Sequence, residues 1–556
     1  MAQQANTLDR WFGVRAPRLG VVVGGSLSRG LDVKLDPHTD IEELAVGRYV
    51  VVHGLQQRYF CMITDIALAS TNAQIAANPP DMANQYLADV YSGSMAFGTI
   101  HIVPMLIIRE GGELGPVRTV PPHFKEVRTA TEQDINDVFG HEDESHFFIG
   151  SPLELQETQI NVDLKRLTER SVGVFGKSGT GKSYLTRILL AGTLARGSAV
   201  NLVFDMHNDY GWEVINEANR RDKGLKQLFP SKVAIFTLDD ESARRRGVRP
   251  DYVVRLSYSE IEPEDLAALR RTMDISDTML DAAYTLRRIY GKTWIQSILT
   301  ATSDDIQEII DTTNVNGASL TALIRRLERF RRFDFLVPEP IGDSAVKAIL
   351  DSIEQGISVV LEFGRYGNAL EAYILVANYL TRRIRESYVK RIERSLGDES
   401  QQPPQLMITI EEAHKFLEPG IAQQTIFGTI ARELRKYKVT LLVVDQRPSA
   451  IDEEIMSQIG TRVTALLDNE RDIAAVLMGV SGAQGLREVL ARLDTRQQAI
   501  VLGHAVPMPV VIKTRPYDEA FYAAMGAPIR GRSVGKGGRK KGGDDLYVDD
   551  SFEGFD

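Results

Sequence analysis

Two kinds of apolar pattern divide the chain into a front part and a longer back part. From residue 14 to about residue 150, short stretches rich in β-branched residues are separated by Gly and Pro. This pattern predicts short strands and is typical of a small β-barrel or sandwich. The clearest of these stretches are 20–25, 48–54, 58–68 and 100–108. From about residue 171, apolar strands alternate with longer helical segments. Unbroken apolar runs indicate strands buried on both faces, so we expect a parallel α/β sheet.

A helical segment interrupts the α/β pattern. Between about 255 and 335, apolar positions recur with the helical period and no strand pattern is visible. We expect this stretch to form a helical subdomain inserted in the α/β domain. Beyond Pro528, a basic, Gly-rich half is followed by an acidic, aromatic half, and such a segment cannot bury a core. The expected organisation is an N-terminal β-barrel at 1–150, a first part of the α/β core at 151–254, the inserted helical subdomain at 255–340, a second part of the core at 341–527 and a disordered tail at 528–556.

Length and composition agree with a multidomain soluble protein. At 556 residues the chain exceeds what one hydrophobic core usually serves, so two or three domains are expected. No run of about 18 apolar residues is present, which argues against a membrane span. The polar N-terminus lacks the basic-then-apolar order of a secretion signal. Cys61 is the only cysteine, which excludes an internal disulfide framework and a Cys-cluster zinc site. We therefore expect a cytoplasmic location.

The net charge of −10 neither supports nor excludes a nucleic-acid partner. A ring-shaped protein needs basic groups only along its channel, and its outer face can be acidic.

The strongest chemical signal is a glycine-rich loop between an apolar strand and an amphipathic helix. Residues 176–183 read GKSGTGKS, which satisfies the pattern G-x-x-x-x-G-K-[ST] in full. Glycines let backbone N–H groups surround phosphates at a helix N-terminus. Lys182 is expected to neutralise the β- and γ-phosphates, and the Ser183 hydroxyl to bind Mg²⁺. The residues predicted to bind ATP or GTP are Gly176, Lys177, Ser178, Gly179, Thr180, Gly181, Lys182, Ser183 and Tyr184.

Two adjacent glutamates close a later apolar strand. In the segment LMITIEE at 406–412, Glu411 takes the metal-side position and Glu412 is placed to polarise the attacking water. Paired carboxylates at the end of a buried strand favour nucleotide hydrolysis over nucleotide binding alone.

A further strand and the basic residues before it supply the remaining candidates. Gln446, at the end of VTLLVVDQ, is a candidate sensor of the γ-phosphate. Arg435 is the first candidate, and Arg432 the second, for an arginine that reaches into a neighbouring subunit and stabilises transition-state charge. Arg170, just ahead of the glycine-rich loop's strand, is a third. The alternative for such basic residues is an ordinary solvated helix face.

A polar loop follows the second strand of the α/β part. Asp205 and His207 in this loop are too few ligands for a zinc site. We expect a polar strand-end loop that faces the nucleotide or the channel.

Five motifs, taken in order, resemble the HerA family of hexameric DNA translocases, which is kin to FtsK. They read GKSGTGKS, FDMHNDYGWE, LMITIEEAHKF, ARELRKYKVTLLVVDQRPS and SQIGTRVTALL. The likeness covers about 150–515. The front part resembles the family's small barrel, which is similar to the barrel of rotary ATP synthase subunits. This likeness rests on the strand-rich pattern and on its position in the chain, not on a motif. The loop at 205–210 departs from the family's DPHGEY but keeps its Asp and His.

The resemblance implies a RecA-like P-loop ATPase domain with an inserted helical subdomain behind a small β-barrel, using ATP and Mg²⁺. It also implies a homohexamer around double-stranded DNA that works with a NurA-like nuclease, or with another effector such as a sirtuin-like protein, in end processing, repair or phage defence. An alternative is a regulatory ATPase ring that scaffolds an effector enzyme with little DNA transport. A rotary or protein-secretion ATPase is a third reading, which the paired glutamates and the DQRPS strand disfavour. No membrane partner is expected.

Overall fold

Two sheets carry the fold, a small barrel and a large mixed sheet. The computed structural model describes residues 17–526 apart from 73–74, 76, 79–82, 84–90, 92–94, 110, 154, 216–218, 314, 340–343, 397, 399–400, 481–482 and 495–496, and it describes Leu434, Arg435 and Gln484 by their backbone alone. The expected disordered tail at 528–556 lies outside these residues. Within the described part of the chain, no helix has the length and apolar character needed to cross a membrane.

The N-terminal part forms a closed six-stranded antiparallel barrel, one of the two architectures that its pattern indicates. Its strands are β1 (Arg18–Ser26), β2 (Gly30–Leu35), β3 (Tyr49–His53), β4 (Gln57–Ser70), β5 (Ala96–Arg109), β6 (Leu114–Gly115) and β7 (Glu126–Thr129). Around the barrel the order is β2, β1, β7, β3, β4 and β5, and pairing of β5 with β2 closes the ring while β6 extends from β5. The strand period of two is visible in β2, where Leu31, Val33 and Leu35 are buried and Asp32 is exposed.

The remaining strands follow in chain order. They are β8 (His146–Ser151), β9 (Ile160–Asp163), β10 (Val172–Phe175), β11 (Val200–Asp205), β12 (Val214–Ile215), β13 (Arg221–Asp222), β14 (Val233–Thr237), β15 (Tyr252–Val253), β16 (Leu256–Ser257), β17 (Leu336–Val337), β18 (Ser358–Glu362), β19 (Leu406–Glu411), β20 (Val439–Asp445), β21 (Thr461–Thr464), β22 (Gln498–Gly503) and β23 (Val510–Thr514).

Twelve of these strands form the large sheet. Its order is β15, β14, β18, β11, β19, β20, β10, β21, β22, β23, β8 and β9. The run from β15 to β21 is parallel, and the last four strands are antiparallel. Every residue of β10, β11, β18, β19 and β20 is buried, as the unbroken apolar runs indicate. Strand β8 begins at His146, so the sheet already includes residues just before the domain boundary proposed at 150.

Helices cover the sheet and form the insertion. Outside the insertion they are Glu132–Phe139, Leu164–Glu169, Lys182–Arg196, Leu225–Leu228, Asp240–Arg245, Ala345–Glu354, Leu370–Arg394, His414–Leu417, Ile426–Glu433, Glu453–Gln458, Glu470–Val476, Ala483–Ala491 and Glu519–Ala524. Inside it they are Pro263–Ala267, Arg270–Met273, Asp277–Tyr290, Trp294–Thr300, Ser303–Thr313 and Gly317–Leu327.

A short strand pair joins the two ends of the inserted segment, and its helices pack around buried apolar side chains. The short parallel pair β16–β17 joins the start of the insertion to its end, with Leu256 opposite Leu336. Trp294 is fully buried among the helices, and its indole N–H donates to the carbonyl of Ile261 at 3.1 Å. The helices therefore form a packed unit within the segment whose pattern predicts them.

The carboxyl ends of five adjacent parallel strands meet along one edge of the large sheet. In the order β18, β11, β19 and β20 these strands end in Glu362, Asp205, Glu411 and Asp445, and β10 leads into the glycine-rich loop. The pairing of Phe175 with Asp445 confirms that the loop begins beside this acidic row. In open α/β sheets, ligands bind in the crevice at the carboxyl ends of strands.

Candidate active site

The glycine-rich loop connects β10 to the helix Lys182–Arg196 through residues with left-handed backbone. Gly181 has φ 91° and occupies the N-cap position of that helix. A Cβ at Gly176 would lie 2.7 Å from Thr180 Oγ1 and 2.9 Å from Ala465 Cβ, so a side chain there would clash. The carbonyl of Lys177 accepts hydrogen bonds from Thr180 Oγ1 at 2.7 Å and from Lys182 Nζ at 2.9 Å. These two hydrogen bonds hold the loop in place around the Lys177 carbonyl. The N-terminus of the helix that follows the loop is suited to binding an anion.

Lys182 is partly desolvated and faces carboxylates from two neighbouring strands. Burial lowers the pKa of its ammonium, while Glu412, Asp445 and Glu411 act in the opposite direction. A cation at the base of a phosphate loop, close to three acids, is the arrangement that nucleotide hydrolysis with a divalent cation needs.

The other residues predicted to bind nucleotide lie on or beside the loop with differing exposure. Lys177, Ser178 and Gly179 are exposed, and Ser183 is half-buried. Lys177 Nζ lies 2.5 Å from Asp468 Oδ2, and both side chains are more than half exposed, so this ion pair adds little stability. Tyr184 directs its hydroxyl to Asp222 Oδ2 at 2.5 Å.

Glu411 is held at the end of β19 by two tyrosines. Tyr210 donates its hydroxyl hydrogen to Glu411 Oε1 at 2.8 Å. The Tyr373 hydroxyl accepts from the Glu411 amide at 3.0 Å and donates to its carbonyl at 3.1 Å. Burial, together with the nearby Asp205, raises the pKa of Glu411 to about 8. Among the described residues, buried Glu411 Oε2 has no hydrogen-bond partner.

Glu411 Oε2 is available as a ligand for Mg²⁺, because no protein group donates a hydrogen bond to it among the described residues. Mg²⁺ binds proteins through one or two oxygen ligands and completes its shell with phosphate and water. A carboxylate oxygen with no protein donor, together with the hydroxyl of Ser183 at the start of the P-loop helix, fits such a partial set. The described residues contain no group of three or more His, Cys, Asp or Glu that could hold a metal by itself.

Glu412 lies just past the strand in a strained conformation. Its φ of 47° places a non-glycine residue in the left-handed region, which costs about 1 to 3 kcal/mol. Glu412 Oε1 accepts a hydrogen bond from Gln446 Nε2 at 2.8 Å, and Oε2 lies 3.7 Å from His414 Nδ1. The predicted water-activating glutamate and the predicted phosphate sensor are therefore in direct contact.

Asp445 fixes the turn that contains Glu412, a role that sequence reasoning missed. Its buried carboxylate accepts hydrogen bonds from the backbone N–H groups of His414 and Arg447, both at 2.7 Å. His414 Nδ1 lies 2.9 Å from Asp445 Oδ2. An acid at a buried strand end in VVDQ, and a histidine in EEAH, were the signals that could have identified this pair.

The polar loop after β11 turns inward. Asp205 is fully buried, and its carboxylate accepts from the backbone N–H groups of Asp209 at 2.7 Å, Tyr210 at 2.8 Å and Gly211 at 3.2 Å. Burial, with the neighbouring Glu362, raises the pKa of Asp205 to about 7. His207 is exposed. Asp205 therefore holds the shape of the loop, and the loop reaches the site through Tyr210.

The candidate arginines lie away from their own glycine-rich loop. Arg170 is exposed and precedes β10, so about six residues of extended chain, roughly 20 Å, separate it from Gly176. Arg435, described by its backbone alone, lies in the turn before β20, which runs parallel to β10. Arg432 forms an ion pair with Glu454 at 2.9 Å. Arg170 and Arg435 therefore lie toward the edge of the sheet opposite the P-loop of their own chain.

Comparison with known proteins finds sequence similarity to HerA helicases. The central part of the chain, residues 147–384, matches the family described as "Helicase HerA, central domain". The chain is 25% identical over 456 residues to the DNA double-strand break repair helicase HerA of Pyrococcus furiosus, covering 77% of this chain and 79% of that protein. It is 26% identical over 416 residues to the HerA helicase of Sulfolobus acidocaldarius, covering 73% and 75%.

Among solved structures, VirB4 of Thermoanaerobacter pseudethanolicus aligns with a TM-score of 0.44 at 14% identity, covering 67% of this chain and 98% of that one. The sequence matches span the glycine-rich loop, the inserted helices and most of the remaining chain. The chain is therefore similar in sequence to HerA helicases over most of its length, and residues 147–384 match the model of their central domain.

Proposed function

We propose that this protein is an ATP-hydrolysing, Mg²⁺-dependent DNA translocase that acts as a homohexameric ring on double-stranded DNA. The observation that carries the proposal is that the glycine-rich loop with Lys182 and the strand ends with Glu411, Glu412 and Asp445 lie along the same carboxyl edge of the sheet. The printed names of the HerA relatives describe repair helicases, which supports DNA as the polymer on which the ring acts.

Each residue of the site has a distinct part in the proposed reaction. Lys182 and the N–H groups of the loop bind the β- and γ-phosphates. Ser183 and Glu411 hold Mg²⁺, which when bound neutralises charge on the phosphate oxygens. Glu412 orients the attacking water and accepts its proton.

Gln446 couples nucleotide binding to this chemistry. Its amide donates to Glu412 Oε1 in the present structure, and the same N–H group can donate to a γ-phosphate oxygen. When Gln446 donates its hydrogen bond to the γ-phosphate instead of to Glu412, the Glu412 carboxylate becomes free to accept a hydrogen bond from the attacking water. Hydrolysis therefore waits for a bound triphosphate.

The ring completes the site between subunits. An arginine that stabilises the transition state comes from the neighbouring subunit, with Arg435 first, Arg432 second and Arg170 third among the candidates. The ring works in the cytoplasm with a NurA-like nuclease, or with another effector such as a sirtuin-like protein, in DNA end processing, repair or phage defence. The net charge of −10 is compatible with a basic channel, because the outer face of a ring can be acidic.

The test compares ATP hydrolysis with and without duplex DNA in three proteins. The wild-type rate should rise severalfold with DNA, whereas Glu412→Gln should bind ATP normally and hydrolyse it at least about 100-fold more slowly. Glu393→Gln, an exposed glutamate on the helix Leu370–Arg394, is the matched control and should behave as wild type. A rate that DNA leaves unchanged, with an effector enzyme retained on the ring, would support the regulatory ring instead. Near-normal hydrolysis by Glu412→Gln would assign water activation to another residue.

A further inference from the structure

The loop after β11 contacts the P-loop helix, the segment just beyond β18 and the end of β19. It contains the second motif of the family resemblance, FDMHNDYGWE, to which the proposed mechanism assigns no role. The Arg187 guanidinium, from the P-loop helix, donates to the carbonyl of Asp209. Asn208 Oδ1 accepts from the backbone N–H of Gly364 at 3.1 Å, just beyond β18. The loop is therefore anchored both to the P-loop helix and to the segment just beyond β18.

Asp205 determines the loop's internal shape. Its carboxylate collects three successive backbone N–H groups, those of Asp209, Tyr210 and Gly211. A fully buried carboxylate with three amide donors cannot rotate without leaving those donors unpaired. The backbone of Tyr210 is thus held at one place relative to the end of β11.

The side chain of Tyr210 crosses from this loop to the adjacent strand β19. Its ring is fully buried, and its hydroxyl donates to Glu411 Oε1 at 2.8 Å. This hydrogen bond restrains the carboxylate of Glu411 through Oε1. Its other oxygen, Oε2, is then the one with no protein partner among the described residues.

We propose that Tyr210 is the positioning residue for Glu411: it pins Oε1 so that Oε2 is presented to the divalent cation or to a water on that cation, and Asp205 acts through Tyr210. This inference rests on the proposed function, because it assumes that Glu411 is on the metal side. Partners of metal-binding carboxylates typically change metal affinity by about 10- to 100-fold when they are lost.

The test is Tyr210→Phe in the full-length protein, which removes one oxygen atom. Tyr388→Phe is the matched control, because Tyr388 is equally buried but its hydroxyl has no hydrogen-bond partner among the described residues. Electron paramagnetic resonance of Mn²⁺ titrated into protein with ADP measures metal binding without turnover. We expect Tyr210→Phe to weaken Mn²⁺ binding at least about tenfold, and Tyr388→Phe to leave it unchanged.

A double-mutant cycle separates positioning from a general structural role. Glu411→Gln should itself weaken Mn²⁺ binding, and adding Tyr210→Phe to it should weaken binding no further, because the tyrosine acts through that carboxylate. The Mg²⁺ concentration for half-maximal ATP hydrolysis should rise for Tyr210→Phe, while ADP affinity without metal stays within about twofold of wild type. Should Tyr210→Phe not fold, Asp205→Asn takes its place, since it loosens the loop and keeps the tyrosine.

Two results would overturn the inference. One is Mn²⁺ binding by Tyr210→Phe equal to that of Tyr388→Phe, which would make Tyr210 a core residue only. The other is an undiminished effect of Tyr210→Phe in the Glu411→Gln background. Neither result depends on DNA stimulation. A protein that binds Mn²⁺ with ADP yet fails the DNA test would lose the translocase proposal and keep this one.

Discussion

Replacing Asp445 with Asn tests whether the turn after β19 is built for catalysis. The Asp445 carboxylate accepts backbone N–H groups from His414 and Arg447 at 2.7 Å, one on each oxygen. An Asn side chain offers one oxygen and one NH₂ group, so one of these N–H groups would face another donor. The substitution changes no side chain that contacts nucleotide in the proposed mechanism.

The expected magnitude follows from those contacts. Losing one charge-assisted hydrogen bond in a buried place should lower the free energy of unfolding by about 2 to 3 kcal/mol. Glu412 keeps its left-handed φ of 47° because the next residues are tied to the neighbouring strand, and a looser turn lets that strain relax. A displacement of about 1 Å at a catalytic group can lower the rate about 100-fold. We therefore expect kcat to fall by about that factor while ATP affinity stays within about twofold.

The assay is steady-state ATP hydrolysis with kcat and KM separated, alongside urea denaturation. Asp472→Asn is the control, because Asp472 is also a buried acid but accepts only a single amide from the neighbouring turn, that of Ser449 at 3.0 Å. Asparagine can still accept one hydrogen bond, so this control should change kcat little. If Asp445→Asn loses stability as expected but keeps kcat within about threefold, the turn does not position Glu412.

Three further predictions concern the same edge of the sheet. Lys182→Ala should abolish ATP binding in a fluorescent-nucleotide titration, because the loop loses its phosphate counter-charge; retained binding would contradict the assigned role. Arg435→Ala should bind ATP yet hydrolyse it slowly, and mixing it with Glu412→Gln should restore some activity; co-assembly without recovery would contradict action between subunits. Burial raises the pKa of Asp205 to about 7, so the folded chain keeps a proton that the unfolded chain releases above about pH 4. The associated stability is complete below pH 4 and is lost as pH rises to 7. Urea midpoints without nucleotide should fall over that range, and a wild-type slope in Asp205→Asn would assign the effect to other groups.

The sequence was sufficient for features whose partners are close in the chain. The glycine-rich loop and its helix lie within residues 172–196, and the strand before them is readable from four apolar letters. The paired glutamates were found because they terminate one buried strand. The closed barrel was one of two architectures left open, since the alternation in β2 fixes which face is buried but not which strand closes the ring.

The contacts that the sequence did not predict depend on strand order. Tyr210 and Glu411 are 201 positions apart, yet β11 and β19 are neighbours in the sheet. Chain order places β18 after β11, whereas the sheet places β11 between β18 and β19. No local pattern encodes that arrangement. The arginine candidates are harder still, because the neighbouring subunit on which they are proposed to act is a separate chain.

The row of acids along the sheet edge divides into two classes by the groups that they contact. Asp205 and Asp445 receive backbone N–H groups, three and two respectively, so moving either carboxylate would disturb a turn. Glu411 and Glu412 receive one side-chain donor each, from Tyr210 and Gln446.

A side-chain donor can rotate away when a phosphate or a cation arrives, whereas a backbone donor moves only with its loop. Glu412, whose donor Gln446 is half-buried, can therefore change partners during a reaction cycle. Glu411 is held by the fully buried Tyr210, and the two aspartates hold the turns around both glutamates. Gln at either glutamate should leave the free energy of unfolding nearly unchanged while removing hydrolysis. Asn at Asp445 should lower both, because that carboxylate accepts one backbone N–H on each oxygen.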